Sequence, residues 1–411
     1  MKILVIGKGG REHALVEACS RSAKVDKIYA APGNVGMEDL AQRVDIQDDD
    51  IQGLVSFAKE KAIDLTIVGP ESSLSLGVVD AFDKAGLKIF GPNQKAAQVE
   101  SSKDFAKKMM AKYQVPTAAY ETFYNFEEAR IYVLKQGAPI VIKEDGLKAG
   151  KGVTVAMSIE EAIDALRIAF DIENNKVVIE ECLVGFEFSL MSFVHNERVI
   201  PMEIAQDHKC AYDGDTGPNT GGMGVYSPVK KITKEIVDEA MELVMKPMAK
   251  AMVAEGCPFT GFLYGGLMLT EQGIKTIEFN ARFGDPEAEV ILPRLQTDFV
   301  EVILNILEGI ETPLVWDNQV SLGVVLASTN YPESSTKGAV IENIEAVESS
   351  VFHMGTKRIN NQLVTDGGRV LIVVAKGNTL EEAYEKAYQD VKKIKSDALF
   401  YRNDIGKKDM N

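Results

Sequence analysis

The N-terminal stretch MKILVIGKGGREH, residues 1–13, decides the fold of the first part of the chain. Its apolar run at residues 3–6 stops at a glycine, and continuous apolar runs of this kind are typical of parallel strands buried on both faces. Apolar residues then recur at helical spacing over residues 12–22, which predicts a helix. Further strands are predicted at residues 27–30, 65–68 and 87–90. Residues 1–102 are therefore predicted to form an open α/β domain.

Composition places the whole chain among soluble globular proteins. Its 411 residues are 45% hydrophobic and 26% charged, and this length favours several domains over one compact core. Acidic residues outnumber basic ones by 61 to 45, giving a formal charge of −16. A surface this negative repels phosphate backbones and anionic lipid, so neither nucleic acid nor a membrane is an expected partner. An anionic substrate would need a local cluster of basic groups.

Cysteine and histidine spacing argues against a zinc site or a disulfide framework. The four cysteines form no C-x-x-C pair and the four histidines show no H-x-x-x-H spacing, so free thiols in a reducing compartment are predicted. The N-terminus lacks the features of a signal peptide, and no apolar run approaches the ~18 residues that cross a bilayer. The chain is predicted to be a cytoplasmic monomer.

The rest of the chain divides into a lid, a central body and a C-terminal part. Ser101-x-x-Asp104 resembles a capping box and predicts a helix start. Residues 117–187 are predicted to form a lid of antiparallel strands and one helix, set within a larger α/β body at residues 103–330. A long helix predicted at residues 235–255 contains Pro247, which is expected to kink it. Residues 331–411 form the predicted C-terminal domain.

A glycine-rich turn, residues 7–13, follows the first strand directly. Glycines let the backbone approach a phosphate closely, and a helix N-terminus offers free N–H groups. A dinucleotide fingerprint would have glycine in place of Glu12, and an acid closing the second strand, which residues 27–33 lack. Phosphate binding without a nicotinamide cofactor is therefore predicted, with a merely tight turn as the alternative.

A second motif, KEDGLKAGKG at residues 143–152, combines three lysines with three glycines. It is not a Walker loop, because Gly146 and Gly150 are one residue too close and Gly152 occupies the place of the magnesium-binding hydroxyl. On a lid hairpin, such a segment can close over a polyphosphate and neutralise its charge. A solvated charged turn is the alternative reading.

A third motif, EFNARFGDPE at residues 278–287, combines a carboxylate with an amide. On a strand, Glu278 and Asn280 share one face while Phe279 points into the core. Carboxylate and amide oxygens suit Mg²⁺, which takes its remaining ligands from water or phosphate. Arg282 lies two positions further on and is expected to face the same site. The E-x-N pair alone is not specific, because any exposed strand could carry it.

A fourth motif comprises QDHK at residues 206–209 and DGDTGPNTGGMG at residues 213–224. The loop is too rich in glycine and hydrogen-bonding groups to belong to a core. Long loops in compact domains are usually either functional or disordered. A substrate cradle is favoured over a plain surface loop.

Taken in order, these motifs resemble those of the glycinamide ribonucleotide synthetase family, within the ATP-grasp superfamily. The match runs nearly end to end and includes GKGGREHAL, TIVGPE, GLKIFGP, GAPIVIK, AGKGV, VVIEE, QDHK, DTGPNTGGMG, GFLYGGLM, IEFNARFGDPE, FHMGTK and GGRV. An ordered set is far more specific than any one motif. The resemblance implies an N-terminal substrate domain, a hinged ATP lid, an ATP-grasp body and a smaller C-terminal α/β domain.

The resemblance also implies roles for individual residues, with ATP held between lid and body. The residues it assigns to ATP are Lys103, Lys143, Gly150, Lys151, Gly152, Glu180, Glu181, Leu183 and Glu187. Glu278 and Asn280 would bind Mg²⁺ or Mn²⁺. The residues it assigns to the substrates are Gly9, Gly10, Arg11, Glu12, His13, Asp213, Thr216, Gly217, Pro218, Asn219 and Arg282. Catalysis would rest on Lys143, Lys151 and Arg282.

The implied reaction joins glycine to 5-phosphoribosylamine in de novo purine synthesis. Glycine's carboxylate attacks the γ-phosphate of ATP, and the amine then displaces phosphate from the resulting glycyl phosphate. Both reactants of the first step are anionic, so cations must offset their repulsion. No side-chain nucleophile is required, which agrees with the lack of a Ser-His or Cys-His signature.

Some positions depart from the family pattern, and the implied reaction has two alternatives. Glu144 and Lys148 stand where the family carries small residues, and Glu289 stands where an amide is common. The changes in the lid leave open a nucleotide-binding module without catalysis. The residues that argue against it are the retained Lys103, Lys143, Glu278 and Asn280. Another ATP-grasp carboxylate–amine ligase is the second alternative, and the long DTGPNTGGMG loop argues against that one.

Overall fold

The N-terminal region is a parallel sheet covered by helices, in a computed structural model that describes residues 1–148, 152–172 and 175–410. The strands lie in the order Gln42–Arg43, Lys27–Pro32, Lys2–Gly7, Leu65–Val68 and Ile89–Phe90. The helices are Gly10–Ser20, Ile51–Lys61, Glu71–Ser75 and Val78–Lys84, with a 3₁₀ turn at Val35–Met37. The central strand pairs on both edges, which explains the unbroken apolar run of residues 3–6. The predicted α/β class is confirmed.

The first helix of the body begins one residue later than the predicted capping box. Ser102 has an extended backbone, and its hydroxyl accepts a hydrogen bond from the Phe105 amide at 3.2 Å. Ser101 instead ends the preceding short helix, Gln98–Ser101. The prediction of Ser101 as the cap was therefore wrong. Helix Lys103–Lys112 starts at Ser102, and this start fixes where its lysines point.

The lid is an antiparallel sheet with two helices on one face. Its strands lie in the order Tyr120–Phe123, Val177–Glu181, Ile140–Glu144 and Val153–Ala156. Its described helices are Phe126–Gln136 and Ile159–Phe170. The prediction of a single helix was wrong, because Ser158 caps a second one by accepting a hydrogen bond from the Glu161 amide at 3.1 Å. Ala162 and Leu166, one turn apart, pack it into the lid core.

The body is built on another antiparallel sheet, in the order Arg198–Pro201, Phe186–His195, Thr260–Thr270 and Gly273–Asn280. The long predicted helix is present as Lys234–Ala240, a π-helical turn Met241–Met245 and Lys246–Ala254. The π turn ends two residues before Pro247, which has no N–H to donate, so the wider turn accommodates the proline. Shorter helices lie at Glu287–Ile291, Leu292–Arg294 (3₁₀) and Phe299–Leu307.

The last sheet combines strands from both sides of the boundary predicted at residue 330. It runs in the order Gln206–Asp207, Gly224–Ser227, Val320–Ser328, Arg369–Gly377 and Ser350–His353, with Leu399–Phe400 also paired to Val320–Ser328. Hairpins lie at Cys210–Tyr212 with Thr216–Asn219, and at Thr356–Ile359 with Gln362–Thr365. The remaining helices are Ile344–Ala346 (3₁₀), Leu380–Val391 and Lys407–Met410. Across the described ranges, no helix has the length and apolarity needed to span a bilayer.

Candidate active site

A cleft of about 960 Å³ lies where lid, body and C-terminal sheet meet. Several sequence-predicted residues line it. They are Arg11, Lys103, Lys143, Gly152, Glu180, Glu181, Leu183, Glu187, Asn219, Glu278, Asn280 and Arg282. Residues assigned from distant motifs are thus brought to one cavity.

The strand Gly273–Asn280 presents its carboxylate and its amide to this cleft. Glu278 and Asn280 are both partly exposed and line the cavity, whereas Phe279 between them is 2% exposed and packs in the core. Burial raises the pKa of Glu278, but the charges of Lys209, Lys143 and Lys103 outweigh it, so that pKa lies below its ordinary value. The carboxylate is therefore ionised and surrounded by cations.

A break in strand register places Lys143 against this strand. Gly266 pairs with Glu278 and Leu267 with Thr276, so the register skips Ile277. The Ile277 carbonyl accepts a hydrogen bond from Lys143 Nζ at 3.0 Å. Bulges often re-aim groups next to active sites, and this one ties the lid strand Ile140–Glu144 to the strand that carries Glu278.

Glu180 bridges two buried lysines from different elements. Its carboxylate lies 2.9 Å from Lys143 Nζ and 2.8 Å from Lys107 Nζ. Burial lowers the pKa of Lys107 to about 8, although Glu180 opposes the shift. Lys107, one helical turn from Lys103, was not singled out in the sequence. The Glu180 side chain thus pairs with cations of the cleft, and its assignment to ATP stays a prediction.

Residues at the N-terminus of helix Lys103–Lys112 bond to Asp145 and Gly146, directly after the lid strand Ile140–Glu144. Asp145 accepts hydrogen bonds from the Ser102 hydroxyl at 3.3 Å and the Asp104 amide at 3.2 Å, and lies 2.8 Å from Lys176 Nζ. Lys103 Nζ donates to the Gly146 carbonyl at 3.0 Å. This network joins lid to body at the place where the predicted phosphate-binding lysines converge.

Glu144 and Lys148, the two lid residues that depart from the family pattern, form an ion pair with each other. Lys148 Nζ lies 2.8 Å from Glu144 Oε2, which also accepts from the Asn175 amide nitrogen at 3.2 Å. The added charges therefore offset one another beside the cleft. The remaining lid predictions, Gly150 and Lys151, lie outside the described residues.

Arg282 stands between two carboxylates contributed by other segments. Its Nη2 lies 2.8 Å from Glu100 and its Nε lies 3.4 Å from Glu71, which Arg11 approaches at 3.8 Å. Burial raises the pKa of Glu71, but Arg282 and Arg11 lower it to about 2. Burial raises the pKa of Glu100 to about 7 despite Arg282. Neither acid was assigned a role from sequence, although GPE containing Glu71 was among the matching motifs.

The glycine turn at residues 9–13 is bonded within the protein. The Gly9 amide donates to Glu12 Oε2 at 2.6 Å, and Arg11 Nε donates to Glu12 Oε1 at 2.6 Å. His13 Nδ1 accepts from the His353 amide at 3.0 Å. The Glu12 carboxylate thus already accepts the hydrogen bond of the Gly9 amide, which a bound phosphate would need. The assignment of a ribose 5-phosphate to Gly9, Gly10, Arg11, Glu12 and His13 stays a prediction that these contacts do not favour.

Part of the predicted substrate loop folds as a small hairpin, and only some of its residues face the cleft. Asp215, Asn219 and Thr220 line the cleft. Asp213 instead accepts hydrogen bonds from the backbone and side chain of Asn403, at 2.7 and 3.0 Å. Within the described residues, Thr216, Gly217 and Pro218 are not part of the cleft lining. Their substrate roles stay predictions.

Arg369 adds a cation that the sequence did not single out. Its guanidinium donates to the Gly221 and Asp285 carbonyls at 2.7 and 2.8 Å and lies 2.9 Å from the Asp285 carboxylate. Asp207 and Glu287 line the cleft nearby. The GGRV motif containing Arg369 was noted without a role, because its partners lie on other segments.

An antiparallel lid and a β-sheet body, with lysines from both surrounding a carboxylate–amide pair, define an ATP-grasp ligase. Profiles for the N, ATP-grasp and C domains of phosphoribosylglycinamide synthetase match residues 1–100, 101–288 and 321–408. The chain belongs to the phosphoribosylglycinamide synthetase family and is an ATP-dependent ligase.

Relatives and a solved structure agree with this assignment. The chain is 53% identical to phosphoribosylamine–glycine ligase of Halalkalibacterium halodurans, covering 99% of this chain and 97% of the relative. It is 54% identical to the Lactococcus lactis protein of the same name, covering 99% of each. The crystal structure of phosphoribosylamine–glycine ligase from Thermotoga maritima superposes with a TM-score of 0.85 at 32% identity, covering 99% of this chain and 100% of that one.

Proposed function

We propose that this protein joins glycine to 5-phosphoribosylamine at the expense of ATP, giving glycinamide ribonucleotide, ADP and phosphate. One observation carries the proposal. Lys103 and Lys143, from body and lid, line the same cleft as Glu278, and Lys143 Nζ donates to the carbonyl of the neighbouring Ile277 at 3.0 Å. A triphosphate needs this combination of converging lysines and an ionised carboxylate.

The chain's own residues would act on charge and position. Lys103 and Lys143 offset the repulsion between glycine's carboxylate and the γ-phosphate, so that the carboxylate can attack and form glycyl phosphate. Arg282, held between Glu71 and Glu100, is proposed to bind negative charge on the glycine side. The amine of phosphoribosylamine then displaces phosphate. Closure of the lid keeps water from the acyl phosphate.

A divalent cation fits the pair formed by Glu278 and Asn280. Both residues line the cleft, Glu278 is ionised, and oxygen ligands are those that Mg²⁺ prefers. Among the described residues, no group of three or more His, Cys, Asp or Glu side chains forms a metal cage. Glu278 and Asn280 would hold the cation, which would supply positive charge to neutralise charge developing on the transferred phosphate.

The nucleotide is proposed to lie along the lid edge of the cleft, with its base near Glu180, Glu181 and Leu183. Its ribose is proposed to lie near Glu187, whose carboxylate pairs with Lys209. The domain boundaries at residues 102 and 330, the identity of the metal, the monomeric state and the cytoplasmic location remain predictions from the sequence.

Turnover with each substrate supplied separately tests the proposal. ADP formation should require glycine, and sustained formation should require phosphoribosylamine as well. Formate or bicarbonate in place of glycine should give no turnover. Equal turnover without the amine, or with formate, would assign the chain to another carboxylate substrate.

A further inference from the structure

The hairpin formed by Cys210–Tyr212 and Thr216–Asn219, here called the substrate hairpin, forms a sheet of its own. It is two-stranded and carries a break in register. An isolated two-stranded hairpin is marginally stable in water. Its position must therefore come from contacts with the rest of the molecule. Those contacts matter because Asp215 and Asn219 of this hairpin line the cleft.

A buried arginine near the C-terminus supplies the central contact. Arg402 is 1% exposed, and its guanidinium binds both oxygens of Asp404 at 2.8 Å. The same group donates to the Cys210 carbonyl and to Asp215 Oδ1, each at 3.0 Å. One planar group thus holds the first strand and the turn of the substrate hairpin. A lysine could not reproduce this geometry.

Neighbouring residues extend the contact over the whole turn of the hairpin. Asp404 Oδ2 also accepts from the Gly214 amide at 2.8 Å, and the Asn403 amide donates to Asp213 at 2.7 Å. Lys408 pairs with Asp215. The segment 402–404, here called the C-terminal clamp, therefore satisfies the polar groups of the turn. The clamp is itself anchored, because Tyr388 donates to the Arg402 carbonyl at 2.6 Å.

We propose that Arg402 is a positioning residue for glycine binding, acting through the substrate hairpin. The inference rests on the proposed function. It assigns the hairpin, and not the lid, to the small amino-acid substrate, because Asp215 and Asn219 line the cleft while Lys103 and Lys143 stand on a body helix and a lid strand. Loss of the clamp should move Asp215 and Asn219 relative to the cleft while leaving the nucleotide side in place. Small displacements of positioning groups have large kinetic effects.

The test compares Arg402→Lys with Arg294→Lys. Arg294 is a matched control, because its side chain is 3% exposed and it also donates to backbone carbonyls, those of Gln319 and Asp317, at 2.7 and 3.0 Å. In the described chain it is not part of the cleft lining. Both variants lose a buried guanidinium, so both should melt at a lower temperature. Arg402→Lys should also raise the KM for glycine by about tenfold or more while leaving the KM for ATP unchanged.

A milder variant covers the case in which Arg402→Lys fails to fold. Asp404→Asn removes the charge from the partner of Arg402 without changing its shape, and Asp404 lies outside the cleft lining of the described residues. It should raise the KM for glycine in the same direction. Hydrogen exchange at the Gly214 amide should quicken in both variants, and this readout does not depend on which substrate the enzyme uses.

Three outcomes would overturn the proposal. The first is an unchanged KM for glycine in both Arg402→Lys and Asp404→Asn. The second is an equal rise in the KM values for glycine and ATP, which Arg294→Lys would then share. The third is unchanged exchange at Gly214. Wild-type turnover that does not depend on glycine would instead refute the proposed function, and exchange at Gly214 would still decide whether the clamp orders the hairpin.

Discussion

The two halves of the cleft are held in place by different means. On the nucleotide side, the side chains stand on regular elements: Lys143 on a lid strand, Lys103 on a helix and Glu278 on a body strand. On the substrate side, Asp215 and Asn219 stand on a two-stranded hairpin that Arg402 secures from about 190 residues further along the chain. The side chains of the first half stand on regular secondary structure. The second depends on tertiary contacts.

This difference indicates how the two halves should respond to mutation. A site on strands and helices tolerates the loss of a distant contact, whereas a site on a hairpin does not. Substitutions on the nucleotide side should therefore change ATP binding and the chemical step directly. Substitutions on the substrate side should change glycine binding by moving the side chains that line the cleft.

The largest effect is expected from Glu278→Gln, which removes the ionised ligand from the centre of the nucleotide side. Turnover should fall by about three orders of magnitude, because the charge that holds the divalent cation is lost. Glycine-dependent ADP formation measures it. Glu271→Gln is the control, because Glu271 lies in the exposed turn between strand Thr260–Thr270 and strand Gly273–Asn280, which carries Glu278. A near-normal rate in Glu278→Gln would remove this residue from the metal site.

The next effect is expected from Lys143→Met, which removes a buried cation facing the triphosphate. The value of kcat/KM for ATP should fall by about a hundredfold, with most of the loss in the chemical step. The KM for glycine should change little, in contrast with Arg402→Lys. Lys135→Met, on the exposed face of the lid helix Phe126–Gln136, should behave as wild type. Equal effects on the two substrates would show that the halves are not separable.

A smaller effect is expected from Arg282→Met, at the boundary between the halves. Loss of the guanidinium leaves Glu71 and Glu100 without their shared partner. The value of kcat/KM for glycine should fall by about tenfold to a hundredfold, with the KM for ATP unchanged. Steady-state kinetics with each substrate varied in turn would measure this. Arg167→Met, whose side chain is 67% exposed and pairs with Asp164 on the lid surface, is the control. Loss of ATP affinity in Arg282→Met would place this residue on the nucleotide side instead.

The smallest effect concerns stability and pH. Burial raises the pKa of Glu100 from its ordinary 4.5 to about 7. The folded state therefore binds a proton more tightly than the unfolded state, and the stabilisation present below pH 4.5 is lost as pH rises through 7. Between about pH 5 and pH 8, Glu100→Gln should gain about 1–3 kcal/mol of unfolding free energy relative to wild type.

Urea unfolding at several pH values would measure that difference. Glu60→Gln, whose side chain is 69% exposed, should track wild type across the range. A constant offset between Glu100→Gln and wild type at every pH would show that Glu100 does not titrate in this window.

The shared facing of Glu278 and Asn280 on the nucleotide side was predictable from sequence because its signal is local. Strand alternation places Glu278 and Asn280 on one face and Phe279 on the other, and the structure has that arrangement. The substrate side was less accessible. Nothing near Arg402 in the sequence indicates that its partners are Cys210 and Asp215, because that pairing depends on how the C-terminal sheet folds over the body.

Two local errors have a similar cause. Ser101 and Ser102 both precede a run of helix-forming residues, and the choice between them depends on the backbone bend at Ser102, which places the cap one residue later. The second lid helix has a serine cap at Ser158. The short strands around it in the sequence favoured a lid with one helix, so this helix was missed. Neither error moves a residue of the nucleotide side.

Transfer of oxygen from glycine to phosphate tests the central claim most directly. If Lys103 and Lys143 bring the γ-phosphate onto glycine's carboxylate, then glycine labelled with ¹⁸O in both carboxylate oxygens should pass one labelled oxygen to each phosphate released. Mass spectrometry of the inorganic phosphate would show this. Phosphate released without label, at a normal rate of amide formation, would contradict an acyl phosphate and with it the assignment of this cleft.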